Sequence, residues 1–218
     1  MSQLKIAFYR HGETKANSQG LCVGKTNIMV SPKGMGILNE LKENYEYPEV
    51  EKVFSSPAIR CLMTSSVILP GMDPEIIDTL WEVDYGDLDN LTVKDFLDFF
   101  GEEKWFNRDP SCKYPNGESY LEASFRIRSA ITRVITRCIE DGLTNVAVVA
   151  HADILYNLMM SCLETDEDMR SFILCPNGMG YEVIIDTDAW FTNQKFQFTR
   201  FLPIGAKRPR PEDSPYFK

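Results

Sequence analysis

The chain has 218 residues, 44% hydrophobic and 25% charged, with 23 Lys+Arg against 32 Asp+Glu for a net charge of −9, 6 Cys and only 2 His. This composition excludes wholesale disorder and fibrous repeats, and the length suits one large domain with a substantial core. The negative field disfavours nucleic acid as a partner, so an anionic ligand needs a local basic pocket.

No run of about 18–20 apolar residues is available to cross a membrane, and the segment from Met1 to His11 is too short and too soon charged for a signal peptide. A cytoplasmic protein is expected, monomeric or homodimeric, with no membrane partner. Cys22, Cys61, Cys112, Cys138, Cys162 and Cys175 are scattered without a C-x-x-C pair and read as reduced, mostly buried thiols. None begins a C-x5-R loop, so a cysteine-phosphatase site is absent.

Leu4-Lys-Ile-Ala-Phe-Tyr9 reads as a buried first strand, after which residues 10–24 turn abruptly polar, as a functional loop would. Ser31-Pro32 supplies an N-cap and a first-turn proline for a helix with Ile37, Leu38 and Leu41 on its apolar face, ending near Tyr45. Val50-Glu-Lys-Val-Phe54 is a second strand, followed by Ser55-Ser56-Pro57 and a helix through Leu69.

A third strand is expected at 76–80, then an acidic, glycine-containing stretch, a Thr92-capped helix running toward Gly101, and an irregular segment from Trp105 to Gly117. From about 118 to 140 a long helix presents Ala123, Ile127, Ala130, Ile131, Val134 and Cys138 at 3–4 spacing. Residues 145–150 form a fully buried strand that ends at His151. Helices at 153–163 and near 166–174, and strands near 180–185 and 195–202, complete a single domain over 1–203. Residues 204–218 read as a proline-rich, flexible tail, with Lys207-Arg-Pro-Arg210 a solvated end.

Strands alternating with helices, the buried ones nearly all apolar, give an α/β class: a three-layer α/β/α arrangement with a mostly parallel central sheet. In such sheets ligands bind at the carboxyl ends of the strands. Arg10-His11, Ser55-Ser56-Pro57-Ala58-Ile59-Arg60, Glu82 and His151 all follow strands, so the fold rule gathers two histidines, two arginines and a carboxylate at one edge. That set suits phosphate chemistry. Each guanidinium offers a planar fork of donors, an imidazole is nucleophilic near neutral pH, and a carboxylic acid can protonate a leaving alkoxide.

The run Arg10-His11-Gly12-Glu13-Thr14-x-x-Asn17 resembles the signature of the histidine phosphatase superfamily, the phosphoglycerate-mutase-like enzymes. The resemblance continues through Ser55-Ser56-Pro57-x-x-Arg60, Glu82-x-x-Tyr85-Gly86, Gly117-Glu118-Ser119 and the strand ending at His151, from Lys5 to about Ile185. It implies a two-step phosphoryl transfer in which His11 attacks phosphorus and water hydrolyses the phosphohistidine, with no metal or other cofactor. Carried over by position, Arg10, Arg60 and His151 line the phosphate pocket, Asn17 is a further donor, and Glu82 is the proton donor. Such an acid needs a carboxyl whose proton is held to near neutrality, and His11 needs its second nitrogen bound to a carbonyl. The substrate class is a small phosphorylated metabolite such as a sugar phosphate, a phosphoglycerate or a ribazole phosphate, with the aromatic region 105–120 helping to choose.

Ala152-Asp153 stand where relatives often carry glycine after the second histidine, placing a carboxylate close to the anion pocket. Tyr156 stands where relatives often have arginine, and Asp89-Asn90 replace a frequent Glu-Gly. Lys25 and Ala152 are further substrate-side positions. A mutase that returns the phosphoryl group to substrate shares this core; the chain lacks the extra covering segments of phosphoglycerate mutases, which favours a phosphatase. A catalytically silent phosphate-binding protein is the alternative of a different class, against which stand both histidines, both arginines and Glu82.

Gly20-Leu-Cys-Val-Gly24-Lys25-Thr26 superficially resembles a nucleotide-phosphate loop but has three residues between its glycines where that loop has four. Asp186-Thr187-Asp188 looks like an aspartyl-phosphatase pair, but too little chain follows to build that fold, so a solvent-facing strand end is expected. Neither histidine has the spacing of a metal ligand pair.

Overall fold

The computed structural model describes residues 3–164 and 175–207. Its centre is a six-stranded sheet built from β1 (Gln3–Arg10), β2 (Lys52–Ser55), β3 (Glu75–Ile76), β4 (Asn145–Ala150), β5 (Gly180–Asp186) and β6 (Gln197–Leu202), in the order β3-β2-β4-β1-β5-β6. The pairs β3/β2, β2/β4 and β4/β1 are parallel, whereas β5 runs antiparallel to both β1 and β6. The sheet is therefore mostly parallel, with an antiparallel edge.

Side-chain alternation along the strands divides the core in two. Ile6 and Phe8 of β1 and Val146 and Val148 of β4 enter one cluster, while Ala7, Tyr9, Ala147 and Val149 enter the other. The first cluster is completed by Ile127, Ile131 and Val134 of α6 (Tyr120–Asp141) and by Leu155 and Leu158 of α7 (Ala152–Cys162). The second is completed by Leu38 of α2 (Pro32–Asn44) and Cys61 and Ile68 of α3 (Ile59–Ile68). Two helical layers on opposite faces of a mostly parallel sheet are the expected α/β/α architecture.

Local signals set the helix limits. Ser119 caps α6 in a reciprocal capping box with Glu122, and Gly142 ends it at φ +69°. Thr92 and Asp95 form the same device ahead of α4 (Val93–Phe100), and Ser31 caps α2 with Pro32 at its first position.

The structure corrects several sequence expectations. The third strand is only Glu75–Ile76; Asp78–Leu80 is a 3-10 turn. Ile77 and Leu80 are buried at a spacing of three, which matches one 3-10 turn rather than strand alternation. The polar loop after β1 contains a short helix, α1 (Lys15–Ser18), because Thr14 and Asn17 form a capping box. A short helix not expected from the sequence, α5 (Glu102–Phe106), runs into the start of the segment expected to be irregular from Trp105. Asp186 ends β5 but then caps α8 (Thr187–Asn193), accepting the N–H groups of Asp188 and Ala189.

Ile204, where the tail was expected to begin, pairs with Glu46 through hydrogen bonds of 2.7 and 3.4 Å. The expected helix near 166–174 and the end of the chain from 208 onward lie outside the described residues. Among the described residues no helix is long and apolar enough to cross a membrane.

Candidate active site

A small cavity of about 70 Å³ opens at the carboxyl edge of the parallel strands. Arg10, His11, Asn17, Glu82, Arg108 and Asp153 form its polar part; Leu21, Val23, Val93 and Trp105 supply much of the apolar wall. Arg10, His11 and Asp153 arrive there through a strand end or the helix start that follows one, and Glu82 through the loop after the 3-10 turn.

His11 is the first residue after β1 and is 4% exposed. Its Nδ1 lies 2.8 Å from the carbonyl of Gly12, and a carbonyl only accepts, so Nδ1 carries the proton and the Nε2 lone pair is free. Burial, then the charges of Arg60 and Arg10, push its pKa well below the ordinary histidine value, which keeps the ring neutral. The Gly12 N–H donates to Thr64 Oγ1 at 2.7 Å and ties this turn to α3.

His151 follows β4 and its ring stands edge-on to that of His11, with centroids 5.3 Å apart at 64°. Its Nε2 is 2.8 Å from Ser56 Oγ, so the Ser55-Ser56-Pro57 turn supports the second histidine. Burial, then Arg60 and His11, hold its pKa well below the ordinary value.

Arg10 donates from Nη1 to the carbonyl of Cys175 at 2.8 Å. Arg60 is fully buried and differs from the sequence picture of a guanidinium wholly free for ligand: Nη1 donates to Thr26 O at 2.9 Å and Nη2 to Gly24 O at 2.8 Å. The same two residues are held from the opposite side by Asp89, which accepts Gly24 N–H, Thr26 N–H and Thr26 Oγ–H at 2.7, 3.1 and 2.8 Å. In both Arg10 and Arg60 the buried Nε has no hydrogen-bond partner.

Asn17 lines the cavity while its carboxamide oxygen accepts from Thr14 N–H at 3.2 Å and Asn177 Nδ2 at 3.4 Å. The group not used by these bonds is its NH2 donor. Lys25 does not line the cavity: its Nζ is 3.0 Å from Asp84 Oδ2 on the exposed side of the loop. Ala152, the first residue of α7, does line it.

Glu82 is 3% exposed. One carboxyl oxygen accepts the Val83 N–H at 2.9 Å and the other the Asp153 N–H at 3.2 Å. Burial, then the charge of Asp153, push its pKa up to about 7, against the two backbone donors and Arg60, which favour the ionised form.

The acid's loop is braced by the Gly117-Glu118-Ser119 motif. Glu118 N–H donates to Asp84 O at 2.9 Å, and Arg126 grips both oxygens of Glu118 while donating to the carbonyls of Thr79 and Trp81. Gly86 sits at φ +52°, and a Cβ there would meet Pro115 O at 2.0 Å, so only glycine permits this backbone contact.

Sequence reasoning missed two contributors. Asn177 donates to His11 O at 2.9 Å, and Gly178 N–H donates to Arg10 O at 3.1 Å, so the turn before β5 fixes the nucleophile's backbone. The signal was available: an antiparallel strand starts at the edge where its parallel neighbours end. Arg108 is the second, a cavity-lining guanidinium that reaches Asp153 Oδ1 at 2.6 Å.

The arrangement offers a neutral imidazole with a free lone pair, a buried acid that holds its proton near neutrality, and two guanidinium groups with unused donors. A model of the histidine phosphatase superfamily (branch 1) matches residues 6–195. An uncharacterized phosphatase, PhoE, of Bacillus subtilis is 26% identical over 170 residues, 76% of this chain and 81% of that protein. The adenosylcobalamin/alpha-ribazole phosphatase of Salmonella typhimurium is 26% identical over 170 residues, 73% of this chain and 80% of that protein. The crystal structure of a phosphoglycerate mutase from Bacillus anthracis superposes with a TM-score of 0.74 at 17% identity, covering 91% of this chain and 92% of that one, a likeness of fold. With a family match spanning most of its length, the chain belongs to the histidine phosphatase superfamily.

Proposed function

We propose that the protein is a phosphomonoesterase that hydrolyses a small phosphorylated metabolite through a phosphohistidine on His11, with Glu82 as proton donor. The observation that carries this reading is the pairing of His11, whose Nδ1–H is committed to Gly12 O, with a cavity-facing Glu82 whose carboxyl holds its proton up to about 7.

In the first step the His11 Nε2 lone pair forms a bond to phosphorus as the ester P–O bond breaks, and Glu82 gives its proton to the departing alkoxide. In the second, the Glu82 carboxylate takes a proton from water as the water oxygen bonds to phosphorus. The P–N bond breaks, returning neutral His11, protonated Glu82 and free phosphate. Arg10 and Asn17, which line the cavity, are the groups offered to the phosphoryl oxygens, whose charge is spread in a loose transition state; Arg60 and His151, expected to line the pocket, are instead fully buried behind His11 and act on the charge from there. No step requires a metal.

The test is hydrolysis of 4-nitrophenyl phosphate together with trapping of labelled phosphoenzyme under alkaline conditions, where phosphohistidine survives. The expected result is phosphate release that persists in excess EDTA, and label lost in His11→Ala. Phosphoryl exchange between 2- and 3-phosphoglycerate without net phosphate release would replace the phosphatase reading with a mutase, and an EDTA-sensitive activity would overturn the metal-free route.

A further inference from the structure

Beside the acid stands a second carboxylate that the two-step mechanism does not use. Asp153 is the second residue of α7, two positions after His151, and only 13% of its side chain is exposed. Burying an anion in a cavity suited to a dianionic ligand is costly unless the charge has a purpose and a partner.

Asp153 is tied to Glu82 twice. Its backbone N–H donates to Glu82 Oε2 at 3.2 Å, and its Oδ2 accepts the hydroxyl of Tyr85, on the acid's own loop, at 2.9 Å. Its other oxygen accepts Arg108 Nη2 at 2.6 Å.

Arg108 is held as firmly. Its guanidinium lies 4.5, 5.0 and 4.8 Å from the ring centres of Trp105, Tyr120 and Tyr156, and Nη1 donates to Trp105 O and Tyr120 Oη at 2.8 and 3.1 Å. Its backbone is left-handed at φ +51°, a conformation that is strained for a non-glycine residue. The chain accepts that strain where it delivers this cation to Asp153. Tyr156, on α7, thus forms part of the seat for an arginine brought from another segment.

We propose that Asp153 is a positioning residue for the acid, keeping the proton on Glu82, and that Arg108 is the counter-charge that lets a second carboxylate stand beside a dianionic substrate. This rests on the phosphatase reading above. Burial does most to hold the proton on Glu82; against it, Arg60 from α3, Arg10 at the end of β1, Arg126 from α6, the Val83 and Asp153 N–H groups and the positive N-terminus of α7 favour the carboxylate. His11 and His151 are neutral, and Tyr85 and the Cys22 thiol are protonated at neutral pH, since burial raises both. Asp153 is the anion that offsets the cations, and its place in the first turn of α7 also offsets the helix terminus. Arg108 then limits the repulsion that Asp153 exerts on the phosphoryl group.

The experiment is a pair of pH profiles of kcat/KM for Asp153→Asn and Arg108→Met, each with 2-phosphoglycerol and 4-nitrophenyl phosphate, backed by infrared titration of the protonated Glu82 carboxyl. Asp153→Asn is expected to move the basic limb down by about one pH unit, and at pH 7 to lower the alkyl rate about fivefold more than the aryl rate. Arg108→Met leaves Asp153 unneutralised and is expected to move the limb up. Limbs that stay in place, or move the same way in both variants, overturn the proposal.

The infrared band, assigned by its loss in Glu82→Gln, reads the proton without turnover. If it titrates lower in Asp153→Asn while the wild-type protein forms no phosphoenzyme, Asp153 keeps its role and the phosphatase reading fails. If phosphoenzyme forms and the band does not move, the reading stands and the role of Asp153 fails.

Discussion

The ring of His11 meets that of His151 edge to face at 5.3 Å, and burial and the charge of Arg60 keep His151 neutral beside it. Two neutral imidazoles divide the work: one has its lone pair free, and the other, supported by Ser56, is a preorganised group beside it. His11→Ala should therefore abolish phosphoenzyme formation. His151→Ala should form it about 10²–10³ times more slowly, the usual cost of removing one preorganised donor. Rapid-quench measurement of labelled enzyme checks both, and equal, complete loss in the two variants would give His151 a covalent or folding role instead.

Glu82 matters only where the leaving group needs a proton. Glu82→Gln should lower turnover of an alkyl phosphate by about 10²–10⁴-fold, while 4-nitrophenyl phosphate, whose phenolate leaves unaided, should lose far less in the first step. In the wild-type protein the alkyl rate should fall as pH rises through about 7, where Glu82 gives up its proton. Paired rate measurements over pH 5–9 decide it; equal losses on the two substrates remove Glu82 from the acid role.

Much of this was legible because the sequence signals are local and the fold rule then does the rest. Arg10-His11 and His151 end apolar runs that can only be buried strands, and parallel strands put such ends on one edge. The 3-10 turn at Asp78–Leu80 replaces the expected strand because the run 76–80 is apolar enough for a strand, yet its buried residues, Ile77 and Leu80, are three apart, as a 3-10 turn requires. Helix α8 was missed because Asp186 was weighed as a strand end and not as a cap. Arg108 carries no local signal at all: its importance comes from a left-handed backbone and from Trp105, Tyr120 and Tyr156, which only tertiary packing assembles around it. Asp153 was visible as a departure, but its partners were not.

Arg126 joins the long helix α6 to the acid's loop through Glu118 and the carbonyls of Thr79 and Trp81. Removing it in Arg126→Met leaves Glu118 without its cation and two carbonyls without a donor. The pair is 19% and 17% exposed, so the cost should lie below that of a fully buried pair, about 2 kcal/mol. For a domain of this size that corresponds to a fall in Tm of about 4–8 °C. Because the same bonds hold Glu82 in place, turnover of alkyl phosphates should fall more than that of 4-nitrophenyl phosphate. A lower Tm with both substrates affected alike would make Arg126 purely structural.

Glu82 also links activity to stability. Its folded pKa is raised from the ordinary 4.5 to about 7, so the folded protein holds this proton more tightly than the unfolded chain does. The stabilisation from that tighter binding is complete below the unfolded pKa and is lost as pH rises through about 7, because a buried carboxylate must then form. A rise of this size corresponds to about 3 kcal/mol. Glu82→Gln carries no such proton, so the difference in Tm, variant minus wild type, should grow in the variant's favour between pH 5 and pH 8.5. Gln offers one acceptor where Glu82 offers two, to the N–H groups of Val83 and Asp153, so the variant can start below the wild type at pH 5 and still show the rise. Thermal melts at the two pH values measure it. A Tm difference independent of pH would mean that Glu82 ionises as easily in the folded protein as in the unfolded chain, and the acid would have to be sought elsewhere.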